Sequence, residues 1–117
     1  MKYAEKLANQ SDCTNRHGCV IYKKNQLIGK GCNKDKTHPA AIYYYSGNIH
    51  AEFAAMITTN KKYLPGSSIF VVRIMRSKGE PLGISKPCKI CMKMIRKAKI
   101  KKVYYTIEDG SWRMDRV

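Results

Sequence analysis

Residues 87–107 read PCKICMKMIRKAKIKKVYYTI, and this stretch decides the fold. Cys88, Cys91, Met92 and Ile95 recur three or four apart, which predicts a helix over 88–98 with one apolar face. Lys89, Lys93, Arg96 and Lys97 take the other face. Lys101 and Lys102 then introduce Val103-Tyr104-Tyr105-Thr106-Ile107, a β-branched and aromatic run that reads as a strand. Upstream, Ile69-Phe70-Val71-Val72-Arg73-Ile74-Met75 is almost continuously apolar, the mark of a buried central strand. Strand, helix and strand in that order predict a sheet that is parallel in its middle, with a helix layered on it.

Further out, His50 to Asn60 reads as a second helix, with Phe53, Ala54 and Ile57 on one face and Pro65-Gly66-Ser67-Ser68 as its stop. Residues 76–86 form a loop carrying Gly79, Pro81 and Gly83. Near the start, Ala4, Leu7 and Ala8 sit at helical spacing within 1–12. Gly18–Tyr22 and Leu27–Cys32 make two strands around Lys23-Lys24-Asn25-Gln26. After Asp109-Gly110, residues 111–117 alternate in period two and close a final hairpin. The predicted order is α-β-β-α-β-α-β-β. It makes an α/β fold on a mixed five-stranded sheet whose last strand is antiparallel.

The chain has 117 residues, 44% hydrophobic and 26% charged, a balance that excludes disorder and predicts a single domain over 1–117. No apolar run approaches the ~18 residues of a membrane span, and Met1–Leu7 lacks the apolar stretch of a signal peptide. A cytoplasmic or nuclear location is therefore expected, with no membrane partner. In such a reducing compartment five cysteines are ligands or buried thiols rather than disulfides. Lys plus Arg is 23 against 8 for Asp plus Glu, a net +15 that draws polyanions.

The chemistry concentrates at two helix starts. Cys88 and Cys91, at i and i+3, point their sulfurs the same way and can grip one ion. His50 completes a three-ligand zinc site with a fourth position open for water, the arrangement of a catalytic zinc. Glu52, beside that histidine and not needed as a ligand, is placed to move protons. Helix N-termini favour thiolates, and Pro87 suits a helix start. Two blander readings stand beside this one: a structural zinc with Cys32 or His38 as fourth ligand, and two buried thiols near a satisfied histidine. Cys13, Cys19 and Cys32 read as small buried hydrophobes. His17 is not read as a ligand.

His50-Ala51-Glu52 followed by Pro87-Cys88-Lys89-Ile90-Cys91 is the signature of zinc-dependent nucleobase deaminases. With Gly31-Cys32-Asn33 and the order Ile95…Ile100-Lys101-Lys102-Val103-Tyr104-Tyr105, the chain resembles the cytidine and deoxycytidylate deaminase superfamily over nearly its whole length. The resemblance implies a three-layer α/β/α fold and a zinc ion on His50, Cys88 and Cys91 that activates water. It implies attack on the ring carbon bearing the amine, with Glu52 shuttling protons to the ring nitrogen and the departing ammonia. It also implies that the Ala51 backbone N–H holds the base carbonyl, that Asn33 contacts sugar or base, and that a homo-oligomer forms.

Tyr44 and Tyr45, within the run Tyr43–Tyr45, fall where a pocket rim is expected and can stack a base; His38 is placed in the pocket lining and Lys34 and Lys36 near phosphates. Residues 76–86 form a hairpin or a gate over the site. Ser85-Lys86 before Pro87 is unlike the pattern of tRNA adenosine deaminases. The final hairpin resembles the cytidine branch, because no room follows Ile107 for a crossover helix, while the motifs resemble the deoxycytidylate branch; both stay open. The expected function is cytosine-to-uracil deamination in a nucleotide-type substrate, with charge and tyrosines favouring single-stranded DNA or RNA. The alternatives are a free cytosine nucleotide, an adenosine substrate, and a basic nucleic-acid-binding domain without catalysis.

Overall fold

The computed structural model describes residues 2–9, 15–33, 50–75, 80–81, 85–107 and 111–117. Their order is α1 (Lys2–Asn9), β1 (Asn15–Lys23), β2 (Gln26–Cys32), α2 (Ala51–Ile57), β3 (Ser68–Met75), β4 (Glu80–Pro81), α3 (Lys89–Lys97), β5 (Lys102–Thr106) and β6 (Trp112–Arg116). The sheet runs β2-β1-β3-β5-β6, with the two-residue β4 as a sixth strand beside β3. Among the described residues only β3 and β5 pair in parallel, from Ser68↔Lys102 to Val71↔Tyr105. The β1–β2, β1–β3 and β5–β6 pairs are antiparallel, so the sheet is mixed and its last strand antiparallel, as expected.

Alternation along the central strands sorts the core into two layers. Cys19 and Ile21 of β1, Ile69 and Val71 of β3, and Val103 and Tyr105 of β5 pack with Ala51, Ala55 and Met56 of α2 and Ile95 of α3. Val20 and Val72, one residue out of phase, pack with Ala4, Leu7 and Ala8 of α1 on the opposite face. The fold is thus three-layered, with α1 the helix on this side among the described residues. Gly18 makes that possible, since a Cβ there would stand 2.6 Å from the Ala8 backbone nitrogen. Tyr22, Phe70 and Trp112 extend the α1-side layer, and Phe70 stacks on Tyr104 at 4.3 Å between centroids.

The β1–β2 hairpin turns on Lys24 and Asn25 with φ of 51° and 65°. Positive φ at both central residues is a type I′ turn, reached here without glycine. α3 ends in a Schellman motif: Ile100 N–H donates to Ile95 O and Lys99 N–H to Arg96 O, with Lys99 at φ 61°.

The structure departs from the sequence expectation at α2. The helix stops at Ile57, well short of Asn60 and the Pro65 stop. Thr58 and Thr59 turn their hydroxyls back onto Ala55 O at 2.9 and 2.8 Å, competing with the backbone ladder. Asn60 then caps a separate 3₁₀ turn, Lys61–Tyr63, by accepting from Lys62 N–H. Ile57, expected on the buried face, is 45% exposed; the core is met by Ala51, Glu52, Phe53, Ala55 and Met56. Pro87 also lies outside its helix, because Cys88 is the N-cap of α3. Among the described residues no helix is long and apolar enough to cross a membrane.

Candidate active site

Two helix starts face each other on one side of the sheet. His50 is the N-cap of α2 and Cys88 the N-cap of α3, and neither uses its side chain as a cap. Both are therefore left to point across the gap. Cys91, in the first turn of α3, is fully buried and packs with Phe53 of α2, which ties the two helices together. His50 Nδ1 lies 3.7 Å from Cys88 Sγ and 3.7 Å from Cys91 Sγ. Zinc–sulfur and zinc–nitrogen bonds of about 2.3 and 2.0–2.1 Å at a tetrahedral angle give an edge of roughly 3.6 Å. The donor atoms of the three residues lie within 4.8 Å of one another. Burial lowers the pKa of His50, keeping the imidazole neutral as a ligand must be. The residues present fit zinc.

Among the described residues this cluster has three members and no fourth ligand. Cys32 pairs with Gly18, whose Cβ direction meets α1, so its thiol belongs to the opposite side of the sheet. A structural site completed by Cys32 is thereby excluded. His38 and Cys13 lie outside the described residues, as do Lys34, Lys36 and Tyr43, Tyr44 and Tyr45.

Glu52 is buried beside the cluster, 5% exposed. Burial raises its pKa; its own backbone N–H and the Cys91 thiol, both donating to the carboxylate, oppose the rise. A carboxyl whose hold on a proton is strengthened by burial is suited to accept one and pass it on. Ala51 is buried at the first position of α2, where a helix N–H has no partner within the helix.

α2 runs antiparallel to β2, and this places Asn33. A Cβ on Gly29 would meet Thr59, and one on Gly31 would stand 2.6 Å from Ala55 N, so β2 climbs toward the start of α2. Asn33, two residues on, reaches the level of His50–Glu52. Its Oδ1 accepts from His17 N–H at 2.9 Å and its own N–H donates to His17 O at 3.2 Å, which fixes the side chain.

The cysteine loop is anchored by a residue to which the sequence reading assigned no anchoring role. Ser85 Oγ donates to Val71 O at 2.7 Å and accepts from Thr106 N–H at 2.7 Å, filling the fork where β3 and β5 stop pairing. β4 takes the place of β5 beyond that fork, pairing Pro81 with Ile74 and Glu80 with Met75. Residues 80–81 thus form a hairpin partner for β3, one of the two expected forms of the 76–86 loop; the rest of 76–84 is outside the described residues. The ligands consequently lie at the carboxyl end of the parallel pair, where open α/β sheets place their sites.

A zinc-dependent deaminase is the class this fold and site define. The chain belongs to the cytidine and deoxycytidylate deaminase family, whose zinc-binding region matches residues 1–107. No curated protein matches it in sequence. Among solved structures it is similar to the dCMP deaminase of cyanophage S-TIM5, at 26% identity and TM-score 0.68 over 93% of this chain and 81% of that one. It is similar to Acinetobacter baumannii RibD at 27% identity and TM-score 0.56, over 87% of this chain and 25% of that chain. The cytidine deaminase of Burkholderia pseudomallei shares the fold, at 18% identity and TM-score 0.68 over 98% of this chain and 87% of that one.

Proposed function

We propose that this protein hydrolyses the exocyclic amine of cytosine in a free cytosine nucleotide, releasing ammonia and leaving uracil. The observation that carries the reading is the three-donor cluster with a buried, non-ligating Glu52 against it. Zinc held by His50, Cys88 and Cys91 supplies the Lewis acidity that makes water a nucleophile at neutral pH. Glu52 accepts the proton of the attacking water, delivers it to the ring nitrogen next to the reacting carbon, and protonates the leaving amine. The Ala51 N–H donates to the base carbonyl, and Asn33 meets the sugar or base. The similarity to a dCMP deaminase, also solved in complex with dCMP and dUMP, supports a nucleotide over a nucleoside.

Cytosine in single-stranded DNA or RNA is the second reading, favoured by the net charge of +15. The tyrosines that also suggested it lie outside the described residues. The test is deamination of dCMP, cytidine, a DNA oligonucleotide and an RNA of equal sequence by the zinc-loaded protein, each read by mass. Turnover of dCMP with little salt dependence is the expected result; turnover of oligonucleotides alone, falling steeply with salt, establishes the second reading. Glu52→Gln loses about 10²–10⁴ in rate while retaining its zinc. Unchanged turnover in that variant removes the role assigned to Glu52.

A further inference from the structure

The inner face of the sheet, the one under α2 and α3, does not end with the apolar core. Cys19 of β1 and Val71 of β3 both point to this face. By the two-residue alternation of a strand, the next inward positions toward the site are His17 and Arg73. The two are direct cross-strand partners and both are half-buried. Arg73 is the one charged residue in a strand that otherwise reads as central core.

This pair is held in place from both sides. Asn33 brackets the His17 backbone through its side-chain oxygen and its own N–H. Arg73 N–H donates to Thr106 Oγ1 at 3.3 Å. His17 and Arg73 thus sit side by side on the inner face, flanked by Asn33 just past β2 and by the Thr106 hydroxyl on the Arg73 backbone, at the end of the sheet where the ligands sit.

The chemistry of cytosine relates this pair to the ligands. The ring nitrogen that carries the sugar is para to the carbon that bears the amine. A base with that carbon at the ligands directs its sugar and phosphate away from them. The approaching phosphate is an anion, and its charge calls for a cation or N–H donors at the far end of the base. Lys86, the cation next to the cysteine loop, is committed elsewhere: it pairs with Asp115 at 3.4 Å and lies over the Tyr105 ring. A guanidinium presents its donors in a planar fork that matches phosphate oxygens two at a time.

We infer that Arg73, with His17 beside it, forms a phosphate subsite for the cytosine nucleotide. The inference rests on the deaminase reading for the pose of the base, and it deepens that reading by naming what recognises the phosphate. A terminal monophosphate and an internucleotide diester share this chemistry.

The experiment compares wild type, Arg73→Gln and Arg73→Lys, each zinc-loaded, on dCMP, deoxycytidine and a short cytosine oligonucleotide. Calorimetric binding of dUMP and deoxyuridine runs alongside. In Arg73→Gln the ratio of kcat/KM for dCMP over deoxycytidine falls about 10–100-fold, the size of a charged hydrogen bond, and the change is in KM. The affinity for dUMP falls by the same factor, and Arg73→Lys, which keeps charge without the fork, lies between. The same loss on the oligonucleotide assigns the subsite to a diester, and loss on dCMP alone assigns it to the monophosphate. A parallel fall for dCMP and deoxycytidine, or unchanged dUMP affinity, overturns the subsite. If wild type turns over no cytosine substrate, the deaminase reading fails, and the dUMP-against-deoxyuridine comparison still decides the subsite.

Discussion

Ser85 Oγ lies 2.8 Å from Thr106 Oγ1, with both residues buried, at the point where β3 and β5 separate. One hydroxyl thus satisfies Val71 O on one strand and Thr106 N–H on the other, three residues before Cys88. The loop that carries Cys88, a potential zinc ligand, is thereby tied to the sheet.

Ser85→Ala leaves a buried carbonyl and a buried N–H without that partner. Stability falls by about 2 kcal/mol, measured by urea denaturation of the zinc-loaded protein. Zinc affinity falls with it, measured by competition with a chelator, because the loop carrying Cys88 loses its anchor. An unchanged denaturation midpoint shows that the fork closes without the hydroxyl.

Gly31→Ala drives a Cβ into the backbone of α2, 2.6 Å from Ala55 N and 2.9 Å from the Ala54 carbonyl carbon. The neighbours are backbone and cannot rotate away, so the helix must move. The expected loss is about 1–3 kcal/mol. Because α2 carries His50 and Glu52, turnover falls by more than stability alone accounts for. Turnover equal to wild type under conditions where the variant is fully folded contradicts this coupling.

Lys99 closes the Schellman motif at φ 61°, a conformation that glycine adopts without strain. Its partner contact is sound, since Ile95 and Ile100 are both buried in the main cluster. Lys99→Gly is expected to raise stability by about 0.5–1 kcal/mol without touching the site. A lower thermal midpoint counts against the motif as described.

Cys19 supplies a pH dependence. Burial, and then the Glu52 charge, push its thiol well above the ordinary value of 9.0. In the unfolded chain the thiol ionises near that ordinary value, whereas the folded protein keeps it protonated. Its contribution is therefore complete below pH 9.0 and is lost as pH rises from there toward the folded value. Urea denaturation from pH 7 to 10 shows a declining midpoint in wild type and a shallower decline in Cys19→Ala. Equal slopes exclude Cys19 as the source.

Cys88 and Cys91 sit at a spacing that helix geometry converts into a shared direction, and His50 with Glu52 repeats the logic on α2; such local periodicity is legible without coordinates. Val71 and Val103 are legible for a similar reason, since β-branched runs between turns read as core strands. The helix stop at Thr58 and Thr59 is not legible in the sequence, because a hydroxyl's competition for Ala55 O depends on where the helix already lies. Ser85 looked like an ordinary loop residue, and only the fork between β3 and β5 gives its hydroxyl three partners. Arg73 left a trace, a lone charge in an apolar strand, but its face follows from register with β1 and β5.

The sequence by itself determined the element types, the mixed sheet with its antiparallel last strand, and the residues able to hold zinc. Each of these is written in spacing over a few residues, where backbone geometry translates order into direction. Tertiary structure alone decided that Cys32 faces away from the ligands, that Asn33 comes level with the start of α2, and that Arg73 lies inward beside His17. Those facts come from the pairing of strands distant in sequence and from glycines that let α2 approach β2. A one-residue shift in any register would reverse every such face.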